Sequence, residues 1–284
     1  MSYLDRIREA NDGDPNRFIP FMLGDWIAGA AAPDMVAALL AFPGVFVRSG
    51  QALTLVPSLH GASCEARTGA VHEVMVRLRD AGVISGWRDE MFAVARHFGA
   101  VPELLLERAA VPALGVRGYG VHVNGFVCQP DGMHMWIGRR ASDKPTWPDR
   151  LDQIVAGGQP AGIGVLDNLV KECGEEAGIP AALARRARSV GTINYRMHTV
   201  AGLRPGTIFV FDLELPQSFE PVNRDGEVAY FECLPIERVM QRVCATREFK
   251  ANCALVIIDF LIRHGFLTPH DDGYEAIAAG LHQR

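Results

Sequence analysis

The sequence predicts an α/β layered sandwich, with a helix-rich region in front of it. Strand and helix patterns alternate from about residue 111 onward, two apolar runs are joined by a turn sequence, and the helical segments carry one-sided apolar stripes. Strands and helices mixed around one sheet are what a layered sandwich requires. No internal repeat or low-complexity segment interrupts the pattern.

Taken in chain order, residues 34–42 read as a short apolar helix stopped by Pro43. Val45–Val47 and Leu53–Val56 are short strand candidates. Thr68 can cap a helix that runs to Asp80 and ends at Gly82. Its Val71, Val74, Met75 and Leu78 recur at spacings of three and four, which puts them on one buried stripe. Beyond Val111, residues 113–127 and 133–139 are apolar runs separated by Gln129-Pro130-Asp131-Gly132, a hairpin signal. Residues 151–155 are a further strand candidate, followed by a glycine-rich loop and a helix from Val165 to Ala177 that Gly178 ends. Residues 189–192, 208–215 and 228–233 read as later strands. Helices are expected near 236–243, over 251–264 and over 274–282.

With 284 residues the chain accommodates two domains, and we expect an N-terminal α+β domain over 1–110 and a second domain with C-terminal helices over 111–284. At 49% hydrophobic and 21% charged residues, a core of ordinary size forms without disulfides or structural metal. The net charge of -5 argues against a broad nucleic-acid footprint. None of the six cysteines is in C-x-x-C spacing, so zinc-ribbon and redox motifs are unsupported. No apolar run reaches the length of a membrane span, and the expectation is a cytoplasmic protein.

The stretch that carries chemistry is Gly157-Gly158-Gln159-Pro160-Ala161-Gly162, followed by Lys171-Glu172-Cys173-Gly174-Glu175-Glu176-Ala177-Gly178-Ile179. Helix positions advance by about 100° per residue, so with Glu172 at zero Glu175 falls near about -60° and Glu176 near about +40°. Like charges so spaced repel by a few tenths of a kcal/mol per pair. Such a face has a use if a hard divalent cation, Mg²⁺ or Mn²⁺, sits over it and meets substrate phosphates. Leu166, Leu169, Val170 and Cys173 form a second, apolar stripe roughly 120° round the helix. The competing reading is a solvated acidic face.

This pattern resembles the Nudix box, G-x5-E-x7-R-E-U-x-E-E-x-G-U, with U a bulky apolar residue. Gly157, Glu172, Glu175, Glu176, Gly178 and Ile179 stand in register with it. Ile163 replaces its first glutamate and Lys171 its arginine. In that family the arginine ties the loop to the helix, and lysine keeps its charge but loses the bidentate fork. The wider chain resembles a Nudix subfamily of bacteria, fungi and plants described as related to thiamine pyrophosphokinase. The segments that carry this are 17–21, 42–46, 136–140 with Lys144 and Pro145, 212–216, 225–228 and 254–260. The resemblance implies a Nudix α/β/α sandwich with a mixed sheet over 111–284. It also implies Mg²⁺-dependent hydrolysis of thiamine diphosphate, or of its oxo and oxy analogues, to the monophosphate. Glu172, Glu175 and Glu176 would then be metal ligands, one of them doubling as base. Glu227, in a turn before a strand, corresponds to a distal-loop glutamate that assists.

Arg139, Arg140 and Lys144 are candidates to neutralise a diphosphate, against the plainer reading of a solvated loop. His198 is a candidate substrate contact, against a structural role. Trp26, Trp136 and Trp147 could stack on a heteroaromatic ring or simply pack. The N-terminal region could complete the substrate pocket or make a homodimer contact. The expected partner is a small-molecule diphosphate, with neither nucleic acid nor membrane. The alternative is a non-catalytic ligand-binding or regulatory protein on a Nudix scaffold, motivated by Ile163 and Lys171. A phosphate-binding kinase is weaker still, because no G-x4-G-K-[ST] sequence occurs.

Overall fold

The structure is a computed structural model that describes residues 1–144 and 146–282. Pro145 therefore lies outside the described residues. The chain opens with α1 (Tyr3–Glu9), the paired strands β1 (Ile19–Leu23) and β2 (Trp26–Ala31), and α2 (Pro33–Leu40). The hairpin β3 (Phe46–Ser49) and β4 (Ala52–Leu55) follows, then α3 (Pro57–His60) and the long α4 (Cys64–Asp80). These strands form a four-stranded sheet in the order β2-β1-β4-β3. β5 (Met91–Val94) and β6 (Leu104–Glu107) pair with each other, and α5 (Val111–Leu114) leads onward.

Two expectations are corrected here. Thr68 is not the cap of α4, because Ser63 is, with its hydroxyl accepting from Ala66 N. Thr68 lies a turn inside, where its Oγ1 accepts from Leu105 N at 2.8 Å and ties the helix to β6. The stripe Val71, Val74, Met75 and Leu78 is buried as its spacing requires. The apolar run expected to extend from Ala113 begins instead as α5, with Pro112 in its first turn and Gly115 in the left-handed region at its end.

The remaining strands are β7 (Gly118–Gln129), β8 (Gly132–Arg140), β9 (Leu151–Gln153), β10 (Val155–Gly158), β11 (Arg188–Thr199), β12 (Gly202–Glu214) and β13 (Val228–Pro235). Between and after them run α6 (Val165–Ala177), α7 (Ala181–Ala184), α8 (Ile236–Ala245), α9 (Ala251–Arg263) and α10 (Tyr274–Gly280). The main sheet runs β11-β12-β7-β8-β13 and is mixed, since β12 lies parallel to β7 while the other pairs are antiparallel. Residues 151–155, expected as one strand, divide at Ile154. β7 and β8 pair directly only near their hairpin turn, from Phe126↔Met135 to Gln129↔Gly132. Beyond it they splay, and the wedge between them is filled by β9 on β8 and β10 on β7.

Strand alternation sends side chains into two layers. Ile208 and Val210 of β12 face a core shared with α9, while Phe211 and Leu213 face one shared with Leu169, Cys173 and Ala177 of α6. Helices on both faces of one mixed sheet make the α/β/α sandwich. A separate core joins the N-terminal sheet to α4, β5, β6 and α5. The first helix goes elsewhere, since Ile7 and Ala10 bury against the α9 and α10 side. Among the described residues no helix is long and apolar enough to cross a membrane.

Candidate active site

Helix α6 begins beneath the glycine-rich loop and stops at Gly178, whose φ of 63° suits a residue without a side chain. Its acidic face does not turn to solvent as a whole. Glu172 is 8% and Glu176 6% exposed, whereas the Glu175 side chain is 48% exposed. The apolar stripe is narrower than expected: Leu169, Cys173 and Ala177 are buried, and Leu166 is out in solvent. The buried arc of the helix therefore includes two of its three glutamates.

What receives them is the β10 edge of the wedge. Glu176 Oε2 accepts from Ala156 N at 2.7 Å. The Glu172 carboxyl rests on Gly157, where any Cβ would overlap it. Lys171 Nζ bridges Glu172 Oε1 at 3.1 Å and Glu175 Oε2 at 2.7 Å. It spans the carboxylates instead of tying the loop. The loop is held by amides: Asn168 Nδ2 donates to Gly158 O at 2.7 Å, and Gln159 Nε2 donates to Ile163 O at 2.8 Å.

Burial, then the neighbouring Glu172, pushes the Glu176 carboxyl up to about 8, and burial raises Glu172 as well. Glu176 thus keeps a proton in the folded chain over a range where the unfolded chain, titrating near 4.5, has lost it. We expect the stability of the metal-free protein to fall as pH rises from about 5 to about 8 and then to level off. A tenfold difference in proton affinity between the folded and unfolded chains is worth about 1.4 kcal/mol, which sets the steepness of the fall. Urea unfolding without divalent ions, compared between wild type and Glu176→Gln, measures this. An equal pH slope in both proteins would contradict it.

Two buried carboxylates with raised proton affinity, and a third at the rim, are an all-oxygen donor set that suits a hard divalent cation. Glu172, Glu175 and Glu176 could hold it. Among the described residues, the group whose ligand atoms already lie within 4.8 Å of one another is a different one, His122, Asp152 and Cys253, so the three glutamates would have to draw together round an ion. There, however, Lys250 Nζ stands 2.7 Å and Arg140 Nη1 3.4 Å from Asp152 Oδ2, so cationic side chains already neutralise that carboxylate. Its chemistry is that of a buried ion pair.

The acidic residues open onto a cavity of about 140 Å³. Glu227 lines it, bonded to Lys144 Nζ at 2.5 Å. Burial raises the Glu227 carboxyl, but Lys144, with Arg108 and Arg140, offsets this and holds it below the ordinary carboxylate value. Arg140 lines the cavity too, anchored by Trp147 O at 3.1 Å and by Asp152. Of the tryptophans considered, Trp147 alone is among its lining residues. Two sequence expectations need correction. Arg139 is on the other side of β8 from Arg140 and donates to Tyr230 and Asp149 O. His198 lies exposed on the edge strand β11, edge-on to Phe18. Neither lines the cavity.

Sequence reasoning missed Arg88, Glu90 and Arg108 from the N-terminal part, and Lys250 from the start of α9, all of which line it. No spacing relates them to the acidic helix, so only folding brings them there. Beside the cavity is a second cleft of about 200 Å³, walled by Phe92, Phe98, Tyr119 and Ile163.

Comparison with known proteins adds four findings. A domain of unknown function (DUF4743) matches residues 2–118. The chain is 41% identical to Nudix hydrolase 20, chloroplastic, of Arabidopsis thaliana, over 99% of this chain and 78% of that protein. It is 40% identical to Nudix hydrolase 24, chloroplastic, of the same plant, over 96% and 75%. It is also 33% identical to the uncharacterized protein YJR142W of Saccharomyces cerevisiae, over 71% and 62%.

Proposed function

The chain belongs to the Nudix hydrolase family, and from that premise we propose that it hydrolyses thiamine diphosphate, or its oxo and oxy analogues, to the monophosphate. The observation that carries the hydrolytic reading is the pair Glu172 and Glu176, buried against β10 at a cavity rimmed by cations. A pyrophosphohydrolase must bring negative charge and a divalent ion to one place, and this pair supplies the ligands for it. The thiamine-type substrate rests on the resemblance of the outer segments. The aromatic cleft next to the cavity supports it, because Phe92, Phe98 and Tyr119 offer faces and edges to a heteroaromatic ring.

In this reading Glu172, Glu175 and Glu176 hold Mg²⁺ or Mn²⁺. When bound, the ion supplies positive charge to the phosphoryl oxygens and makes water a stronger acid. Arg140 and Lys144 contribute charge to the diphosphate. Glu227, ionised beside Lys144, accepts a hydrogen bond from the attacking water and orients it. The N-terminal domain expected over 1–110, without its first helix, completes the pocket, and the protein works in the cytoplasm.

The alternative, a binding or regulatory protein without activity, draws on Ile163 and Lys171. The amide-held loop and the Lys171 bridge weaken it, since the loop is anchored and the carboxylates are oriented by other means. A phosphate-release assay with Mg²⁺ decides between them. Its panel spans thiamine diphosphates, nucleoside diphosphate sugars, dinucleotides and coenzyme A. We expect release from the thiamine diphosphates first. Tight binding with no release from any compound would overturn the hydrolase reading.

A further inference from the structure

Arg108 reaches the cavity from the part of the chain that matches a domain of unknown function. We propose that Arg108, braced by Glu90, is a substrate ligand that takes the diphosphate from the N-terminal side of the cavity. Only the identity of the ligand as a diphosphate rests on the hydrolase reading above.

The backbone beneath Arg108 is fixed by more bonds than a surface segment needs. Glu107 is 1% exposed, and its carboxylate accepts from Arg88 N at 2.9 Å, Glu90 N at 3.1 Å and Ala109 N at 3.2 Å. A buried charge that receives several backbone N–H bonds is well compensated and rigid. It locks together the two segments that carry Glu90 and Arg108. A backbone bond from Arg108 N to Glu90 O, 2.9 Å, adds to this. The loop after β10 is tied to the same region through Ala161 N to Met91 O at 2.8 Å.

The guanidinium is placed with equal definition. It lies over the Phe92 ring, 5.8 Å from its centre. It comes so near Gly158 that a Cβ there would meet Arg108 Cζ at 3.3 Å and Phe92 Cζ at 2.8 Å. Gly158 is the neighbour of Gly157, on which Glu172 rests, so two adjacent glycines admit the guanidinium and the carboxylate to one strand end. Arg108 is close enough to lower the proton affinity of both Glu172 and Glu227.

A guanidinium has five N–H donors. Among the described residues, Arg108 makes one side-chain hydrogen bond, from Nη1 to Glu90 Oε2 at 2.8 Å. Its side chain is 39% exposed. An ion pair this exposed contributes little to stability, so the rigid platform is poorly explained by folding. A planar fork with unused donors, aimed into a cavity, matches phosphate oxygens.

The test is calorimetric titration with methylenediphosphonate, a diphosphate that cannot be hydrolysed, at fixed Mg²⁺. Arg108→Ala should weaken binding by about 10- to 100-fold, the range for a hydrogen bond to a charged group. Arg108→Lys should recover part of the loss. In turnover the same variants should raise KM more than they lower kcat, and Mn²⁺ affinity should change less than diphosphate affinity does. Glu107 keeps its bonds in both variants, and a thermal melt checks that they fold. If Arg108→Ala is unfolded, Arg108→Lys and Arg108→Gln are titrated instead. Wild-type affinity in the folded variants overturns the proposal. Impaired probe binding in a protein that releases phosphate from no panel compound would instead sink the hydrolase reading and leave Arg108 standing.

Discussion

Glu176→Gln should lower turnover by about 10²- to 10⁴-fold, the range expected when a positioned acid–base or metal-binding group is removed. The same change should leave the fold intact. Glutamine has the size of glutamate, and its amide oxygen can still accept from Ala156 N. It also removes a group whose ionisation burial opposes, since the carboxyl is pushed up to about 8. Above neutral pH the metal-free variant should therefore be at least as stable as wild type. Loss of activity with gain of stability is the signature of a residue kept for function. Glu175→Gln is the comparison: Glu175 is half exposed and paired with Lys171, so its loss should cost less. Full turnover in Glu176→Gln, measured as phosphate release at saturating substrate, would remove the mechanism.

The acidic trio is legible in the sequence because three carboxylates within one helical arc are a local fact, fixed by 3.6 residues per turn. The bounds of α6, Val165 to Ala177, are legible for the same reason, with Gly178 marking the stop. What periodicity cannot give is the direction of the acidic face. Glu172 and Glu176 turn inward because Gly157 and Ala156 in the wedge receive them, and strand order in three dimensions sets that wedge. The strands β1, β2, β5 and β6 are hard to see in the sequence because they are short and their alternation is weak. Arg108 is hidden for a different reason. It lies tens of residues from the box, and nothing in Arg108-Ala109-Ala110 distinguishes it from a solvated arginine. His198 misleads because a histidine at a strand end looks the same whether the strand is central or, like β11, at the sheet edge.

Gly157→Ala should be the sharpest test of where the reacting centre lies. Gly157 sits in β10 opposite Val121, and its φ is not in the left-handed region. The backbone thus accepts alanine, and restricting the unfolded chain should stabilise by about 0.4–1 kcal/mol. Against that, the new Cβ would overlap Cγ, Cδ and Oε2 of Glu172. Those atoms are the far end of a flexible side chain, so the clash is relieved by swinging the carboxylate aside, and folding stability should change little. Activity has no such escape. Displacing a positioned group by about 1 Å commonly costs about 10²-fold, and the overlap requires a movement of that order. We expect kcat/KM to fall about 100-fold or more and Mg²⁺ affinity to drop, with a melting temperature within a few degrees of wild type. Gly174→Ala on the same helix meets no neighbouring atom, and it should remain fully active and gain about 0.5–1 kcal/mol. A fully active Gly157→Ala would mean that the Glu172 carboxylate can leave its place without consequence. Gly157 would then be a space left for packing, and the metal would have to be held elsewhere.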